Sequence, residues 1–199
     1  MSETPPTVEP TPVDVRPPTP RHKVWPLLAV IGVLVIVVMG GYVTAAALST
    51  PAGPPITIGR TVRVRPLSGW AIAPRICTPG VRLTRGSGTL DVCDFGAFPG
   101  SVTQLAAAYV SQVLEHQAES GRLSTSPRMH LVQLGAGIVG VRFGYVGLFP
   151  NVQGAIEGEV TAVVTPSGAG VIFDGWAPQG ILDYVSGDIH TMIETARMR

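Results

Sequence analysis

From Val24 to Leu48 the chain carries no charged side chain, and no other stretch restricts it so firmly. A helix rises about 1.5 Å per residue, so about 20 apolar residues cross the hydrocarbon layer of a bilayer. Residues 24–48 are therefore expected to form one membrane-spanning helix. Arg21, His22 and Lys23 stand immediately before it, and the first charge after it is Arg60. That asymmetry keeps the N-terminus in the cytoplasm and exports the C-terminal remainder of the chain. Trp25 and Tyr42 lie near the two ends, where amphipathic aromatics favour the headgroup region. A cleaved secretory signal is the rival reading, because Ala45, Ala46 and Ala47 offer small residues to a signal peptidase. The apolar core of such signals runs only about 7 to 15 residues, which favours an uncleaved signal-anchor. Both readings place the rest of the chain outside the cytoplasm. No cysteine lies in the run or just after it, so a lipidated anchor is excluded.

The span divides the chain into a Pro-rich cytoplasmic tail (1–23), the signal-anchor helix (24–48), a linker (49–55) and an extracytoplasmic domain (56–199). The tail buries too little apolar surface to offset its ordering entropy and is expected to be disordered. Pro17, Pro18 and Pro20 suit a proline-recognising partner, although a plain spacer is the simpler reading. The net charge of +1 gives a nucleic-acid partner no bulk support. One lysine against thirteen arginines fits a high-GC actinobacterium.

In the domain, 24 Gly and 19 Pro along the whole chain point to many turns and short strands. In ITIGRTVRVRP, Ile56, Ile58, Val62 and Val64 share one face while Thr57, Thr61, Arg63 and Arg65 share the other. This reads as one half-buried strand with a bulge at Gly59. VRLTR, Gly86-Ser87-Gly88 and TLDVCDF form a hairpin that brings Cys77 toward Cys93. In an oxidising compartment two such cysteines are expected to pair, closing a loop that contributes about 3 kcal/mol.

SVTQLAAAYVSQVLEHQAESG reads as a helix capped by Ser101 and Gln104 and stopped by Gly121. Its stripe comprises Val102, Leu105, Ala106, Tyr109, Val110, Val113 and Leu114. Four strands come next in RMHLVQL, IVGVRFGYVGLF, AIEGEVTAVVT and GVIFDGW, the last two joined by a turn at Pro166-Ser167-Gly168. A closing helix presents Ile181, Val185, Ile189, Met192, Ile193 and Ala196, with Arg197 and Arg199 at the negative end of its dipole. The sum is an α+β domain, one twisted antiparallel sheet covered by two helices.

This order of elements, with SGW after the first strand, GVRFGYVG, EGEVTAVVTPSGAGVIFDGW and the closing helix, resembles the Mog1p/PsbP-like fold. Within it the chain is most similar to the LpqN-type lipoproteins of mycobacterial envelopes. The likeness spans roughly 56–197, and a membrane helix stands where those proteins use a lipidated cysteine. It implies envelope placement and an accessory or binding role.

Catalytic motifs fail on their surroundings. Gly135, Gly137 and Gly140 spell GxGxxG, but VRFGYVGLFP comes next where a phosphate site needs a helix N-terminus, so a hairpin turn is expected. The only lysine precedes the span, which removes phosphate-loop, Schiff-base and Ser-Lys chemistry from the domain. No GxSxG and no HExxH occur, and His116, His130 and His190 are scattered. No catalytic residue, metal or cofactor is expected, and the domain reads as non-enzymatic.

Charge is uneven: residues 51–90 hold six arginines and no acid, and residues 91–199 hold five arginines against ten acids. The arginines either meet anionic lipid or an acidic partner, or pair with Asp91, Glu157 and Glu159 across the sheet; pairing is favoured. Asp174 and Trp176, read as part of a Gly/Pro loop that roofs a groove, join Arg63 and Arg65 as the candidate ligand or partner surface. Trp70 is expected to fill the core. The partner expected is an envelope protein or lipid, and the alternative is a carrier holding an apolar ligand between helix and sheet.

Overall fold

The computed structural model describes residues 53–74 and 77–199. The expected tail, membrane helix and first linker residues lie outside them. Among the described residues no helix is long and apolar enough to cross a membrane.

The first expected strand is two. β1 (Ile56–Ile58) and β2 (Val62–Val64) pair antiparallel, with Ile58 opposite Val62 and Ile56 opposite Val64. Gly59 takes a φ of +55° and opens a reversal rather than a bulge. Cross-strand partners always share a face, so a three-residue turn leaves the period-two pattern in phase and hides itself in the sequence. The chain's last strand, β11 (Arg197–Met198), adds to β2 and completes a three-stranded sheet. Arg197 thus serves a strand and not the end of the closing helix.

The main sheet has eight strands: β3 (Ala71–Ala73), β4 (Gly80–Arg85), β5 (Gly88–Ala97), β6 (Leu123–Thr125), β7 (His130–Gln133), β8 (Val139–Leu148), β9 (Ala155–Val164) and β10 (Ala169–Pro178). Their spatial order is β3-β4-β5-β10-β9-β8-β6, with β7 also paired to β8. Every pairing is antiparallel. Gly135–Gly137 forms a single 3-10 turn between β7 and β8, the hairpin connection expected of that glycine motif.

β10 shows why both faces of the sheet are covered. Gly170, Ile172, Asp174 and Trp176 alternate with Val171, Phe173 and Gly175, and nearly all are buried. The first set faces helix α1 (102–117), whose Leu105, Ala106, Tyr109 and Leu114 pack with Phe143, Val160, Ala162 and Ile172. The second set faces helix α2 (Leu182–Glu194) and the small sheet. There Ile189, Met192 and Ile193 join Val62, Val64, Leu90, Val171 and Phe173. A Cβ at Gly175 would sit 2.7 Å from Ile189, so glycine lets α2 lie close to the sheet. Among the described residues both cores and the disulfide fall between Ile58 and Ala196.

Ser101 and Gln104 form the expected capping box of α1. The helix then passes through a π-turn over Val110–Leu114 and ends at Gln117, before the expected stop at Gly121. Leu105 and Tyr109 are four residues apart but Tyr109 and Leu114 are five. The wider turn keeps all three on the sheet, as the Glu115 N–H donation to the Val110 carbonyl records. Ile181 departs from the expected stripe of α2, because it lies in the turn before the helix and is 37% exposed.

Candidate functional site

Register builds the site. Arg82 on β4 stands opposite Asp91 on β5, and Asp91 stands opposite Asp174 on β10. One charged row therefore crosses three neighbouring strands on the face that α1 covers. The next row places Thr89, Trp176, Gly158 and Tyr145 on β5, β10, β9 and β8.

Asp174 is not in a loop, as the sequence suggested, but deep within β10, where it is 4% exposed as a residue and its carboxylate holds two tyrosines. The Tyr109 hydroxyl donates to Asp174 Oδ2 at 2.7 Å and the Tyr145 hydroxyl donates to Oδ1 at 2.9 Å. Tyr145 reaches across β9 because Gly158 leaves the way open. A Cβ at Gly158 would fall 2.4 Å from Tyr145 Cζ. Asp91 is equally engaged: Arg82 Nε and Nη2 donate to its two oxygens at 2.7 and 2.8 Å, and Trp176 Nε1 donates to Oδ2 at 3.1 Å. The Arg82 guanidinium also lies over the Trp176 ring at 5.5 Å from its centroid. Among the described residues no buried side-chain polar atom is without a partner.

Burial pushes the Asp174 carboxyl up from its ordinary 3.8 to about 7, and the facing Asp91 adds to the rise. The two tyrosyl hydrogen bonds and Arg82 only partly offset it. Burial, then the Asp174 charge, holds both tyrosines well above the usual phenol range. The hydrogen bond to Asp91 outweighs burial at Arg82 and raises it. Asp174 is thus the member of the cluster whose pKa is brought near neutral pH.

An open cleft of about 670 Å³ lies over this cluster, at the C-terminal end of α1. Arg82, Tyr145 and Trp176 border it from the sheet, His116 from the helix, and Phe149 and Asn151 from the β8–β9 loop. His116 is exposed, as expected, with Nδ1 2.9 Å from the Ser111 carbonyl. The helix–sheet interface behind the cleft is filled by Leu105, Tyr109, Phe143 and Ile172.

Arg63 and Arg65 lie elsewhere. They line a separate cleft of about 410 Å³ on the small sheet, with Pro55, Leu67, Thr191 and Arg197. The four residues singled out from the sequence therefore divide between two clefts. Cys77 and Cys93 are joined as expected, with Cα atoms 5.9 Å apart. Gly80 leaves room for the bridge, since a Cβ there would meet Cys77 Sγ at 2.1 Å. Trp70 is buried as expected and donates from Nε1 to Asp188 at 2.9 Å, beside the Arg85–Asp188 ion pair. Asp91 pairs with an arginine as foreseen, and Glu159 pairs with Arg142 and His190. Glu157 instead accepts the backbone N–H groups of Gly180 and Leu182. Tyr109 and Tyr145 were not foreseen as site residues. Tyr109 reads as one more member of an apolar stripe, and the signal for Tyr145 is its facing glycine, legible only with the register.

No family model and no curated protein matches the sequence. Among solved structures, the chain is similar to cyanobacterial PsbP (CyanoP) from Synechocystis sp. PCC 6803. The TM-score is 0.51 at 13% identity, covering 69% of this chain and 86% of that one. The fold is PsbP-like. LpqN of Mycobacterium tuberculosis, described as involved in cell envelope biogenesis, matches with a TM-score of 0.47 and 12% identity over 73% of this chain and 89% of that one. The PsbP-like sheet, with a helix on each face, is the frame that brings Arg82, Asp91 and Asp174 into one row.

Proposed function

We propose that this chain is a membrane-anchored, extracytoplasmic accessory module that binds an envelope component in the Trp176 cleft and performs no catalysis. One observation carries the reading. The polar groups beneath the cleft are spent on one another, both oxygens of Asp174 on tyrosines and both of Asp91 on Arg82 and Trp176. These mutual hydrogen bonds hold the floor of the cleft in one arrangement beside an aromatic ring, which suits preorganised binding. The ligand class that fits presents an apolar or aromatic group to Trp176 and Phe149 and hydrogen-bonding groups to His116 and Asn151. The charge-free run of 24–48 supplies the anchor, and the joined Cys77 and Cys93 support an oxidising compartment.

A photo-crosslinking residue at position 151 of the full chain, in its own membranes, tests this. The expected result is one discrete adduct that Trp176→Ala abolishes and Trp176→Phe retains. Purified chain that turns over an ester, peptide or glycoside substrate, and loses that turnover in Asp174→Asn, would overturn it.

A further inference from the structure

The small sheet carries a charge arrangement that its own fold does not neutralise. Arg197 on β11 stands directly opposite Arg63 on β2. Arg65 lies two residues further along, on the same outward face, since Val62 and Val64 point into the core. Like charges facing each other across a strand pair destabilise it unless something of opposite sign lies between or above them. Among the described residues none of the three forms an ion pair. Glu194 borders the adjoining cleft with Arg63 and Arg197 but is in ion-pair contact with neither. The three arginines open onto the 410 Å³ cleft whose rim also includes Thr191 and Thr195; their hydroxyls donate to the Gly187 and Thr191 carbonyls of α2, which leaves the arginines as the donors for an anion.

Pro55 lines that same cleft, and Pro55 is where the chain arrives from its apolar run. Only residues 49–55 separate Leu48 from β1, and seven residues span at most about 25 Å even when fully extended. Covalent reach thus keeps β1 within about 25 Å of the end of the apolar run in the membrane that the chain is proposed to cross. We propose that Arg63, Arg65 and Arg197 form a docking site for anionic phospholipid headgroups on the outer surface of that membrane. The membrane's identity rests on the anchored reading above; the lipid recognition does not.

The test is flotation of residues 53–199, which hold both cores, with vesicles of equal parts phosphatidylglycerol and phosphatidylcholine, and with phosphatidylcholine alone. Binding to the anionic vesicles is expected, falling with added salt, and none to the neutral ones. Each arginine near such a surface is worth roughly five-fold. Arg63→Ala, Arg65→Ala and Arg197→Ala together should therefore weaken binding on the order of a hundred-fold, while the three lysine substitutions should retain most of it. All three side chains are outside the cores, and retained circular dichroism of the triple variant checks that it folds. Equal binding by the triple alanine variant, no binding to anionic vesicles, or full displacement by millimolar inorganic phosphate would each overturn the proposal. The last would mark a free-anion site. A chain that fails to span the membrane while its domain still floats would sink the anchor alone.

Discussion

Asp174→Asn isolates the titration at the centre of the molecule. The buried carboxyl of Asp174 has its pKa raised from 3.8 to about 7 by burial, with the facing Asp91 second. A raised acid binds its proton more tightly in the folded state than in the unfolded one. Its contribution is therefore fully present below 3.8 and is lost as pH rises through about 7. The window covers roughly three pH units, and at about 1.36 kcal/mol each the loss is of the order of 4 kcal/mol by pH 8. Asparagine keeps the shape and cannot ionise. Its carbonyl accepts from one tyrosine, and its N–H donates to the hydroxyl oxygen of the other, so neither partner is orphaned. The assay is urea denaturation of residues 53–199, disulfide intact, for wild type and variant from pH 4 to pH 8. The two should be of similar stability at pH 4. The variant should gain steadily with pH and lead by a few kcal/mol, at most about 4, at pH 8. Titrations common to both proteins cancel in the difference. A variant that falls further behind as pH rises would mean that the tyrosines and Arg82 hold Asp174 ionised, and the account of the cluster would be wrong.

The same geometry sets the remaining outcomes. Tyr145→Phe removes one hydroxyl from Asp174 and should cost about 1 kcal/mol in a urea midpoint. Gly158→Ala should cost more, about 2 to 3 kcal/mol, because its Cβ displaces the whole Tyr145 ring as well as the bond. Replacing both Cys77 and Cys93 with serine opens a loop of sequence separation 16 and should lower stability by about 3 kcal/mol, with reduction of the native chain matching it. Gly80→Ala should prevent the bridge from closing, read as two free thiols under denaturing conditions.

The parts of this fold that were legible are those written in local chemistry. The capping box at Ser101 and Gln104, the Gly86 hairpin and the turn before Gly168 each need particular residues at fixed offsets, and each is where the sequence put it. The reversal at Gly59 was illegible because an even offset between paired residues leaves the alternation unchanged. The π-turn was illegible because a five-residue step between Tyr109 and Leu114 shows only once the sheet beneath demands it. Asp174 was singled out as polar and unusual but placed in a loop, since Gly175 and Pro178 resemble loop punctuation. In the fold Gly175 is instead a seat for Ile189.

The site itself is a property of register, which no single strand encodes. Arg82 and Asp91 face each other across a hairpin nine residues apart, and Asp174, far along the chain, joins them only because β5 lies between β4 and β10 in that alignment. The register shift between Gly170 and Val171 supports this row: beyond it Gly170 pairs Gly96, and within it Val171 pairs Asp94. Counted without that irregularity, β10 would slide by one residue against β5, and Asp174 would face a hydrophobic neighbour in place of Asp91. A buried carboxyl costs several kcal/mol; this alignment brings the Arg82 charge near Asp174, and with the two tyrosines it partly offsets that cost although the facing Asp91 adds to it. The bulge, the two tyrosines and the gap at Gly158 thus form one arrangement, each making the others tolerable. The same logic, run in reverse, marks the arginine face of the small sheet as unfinished: there register brings like charges together, and no element of the described fold answers them.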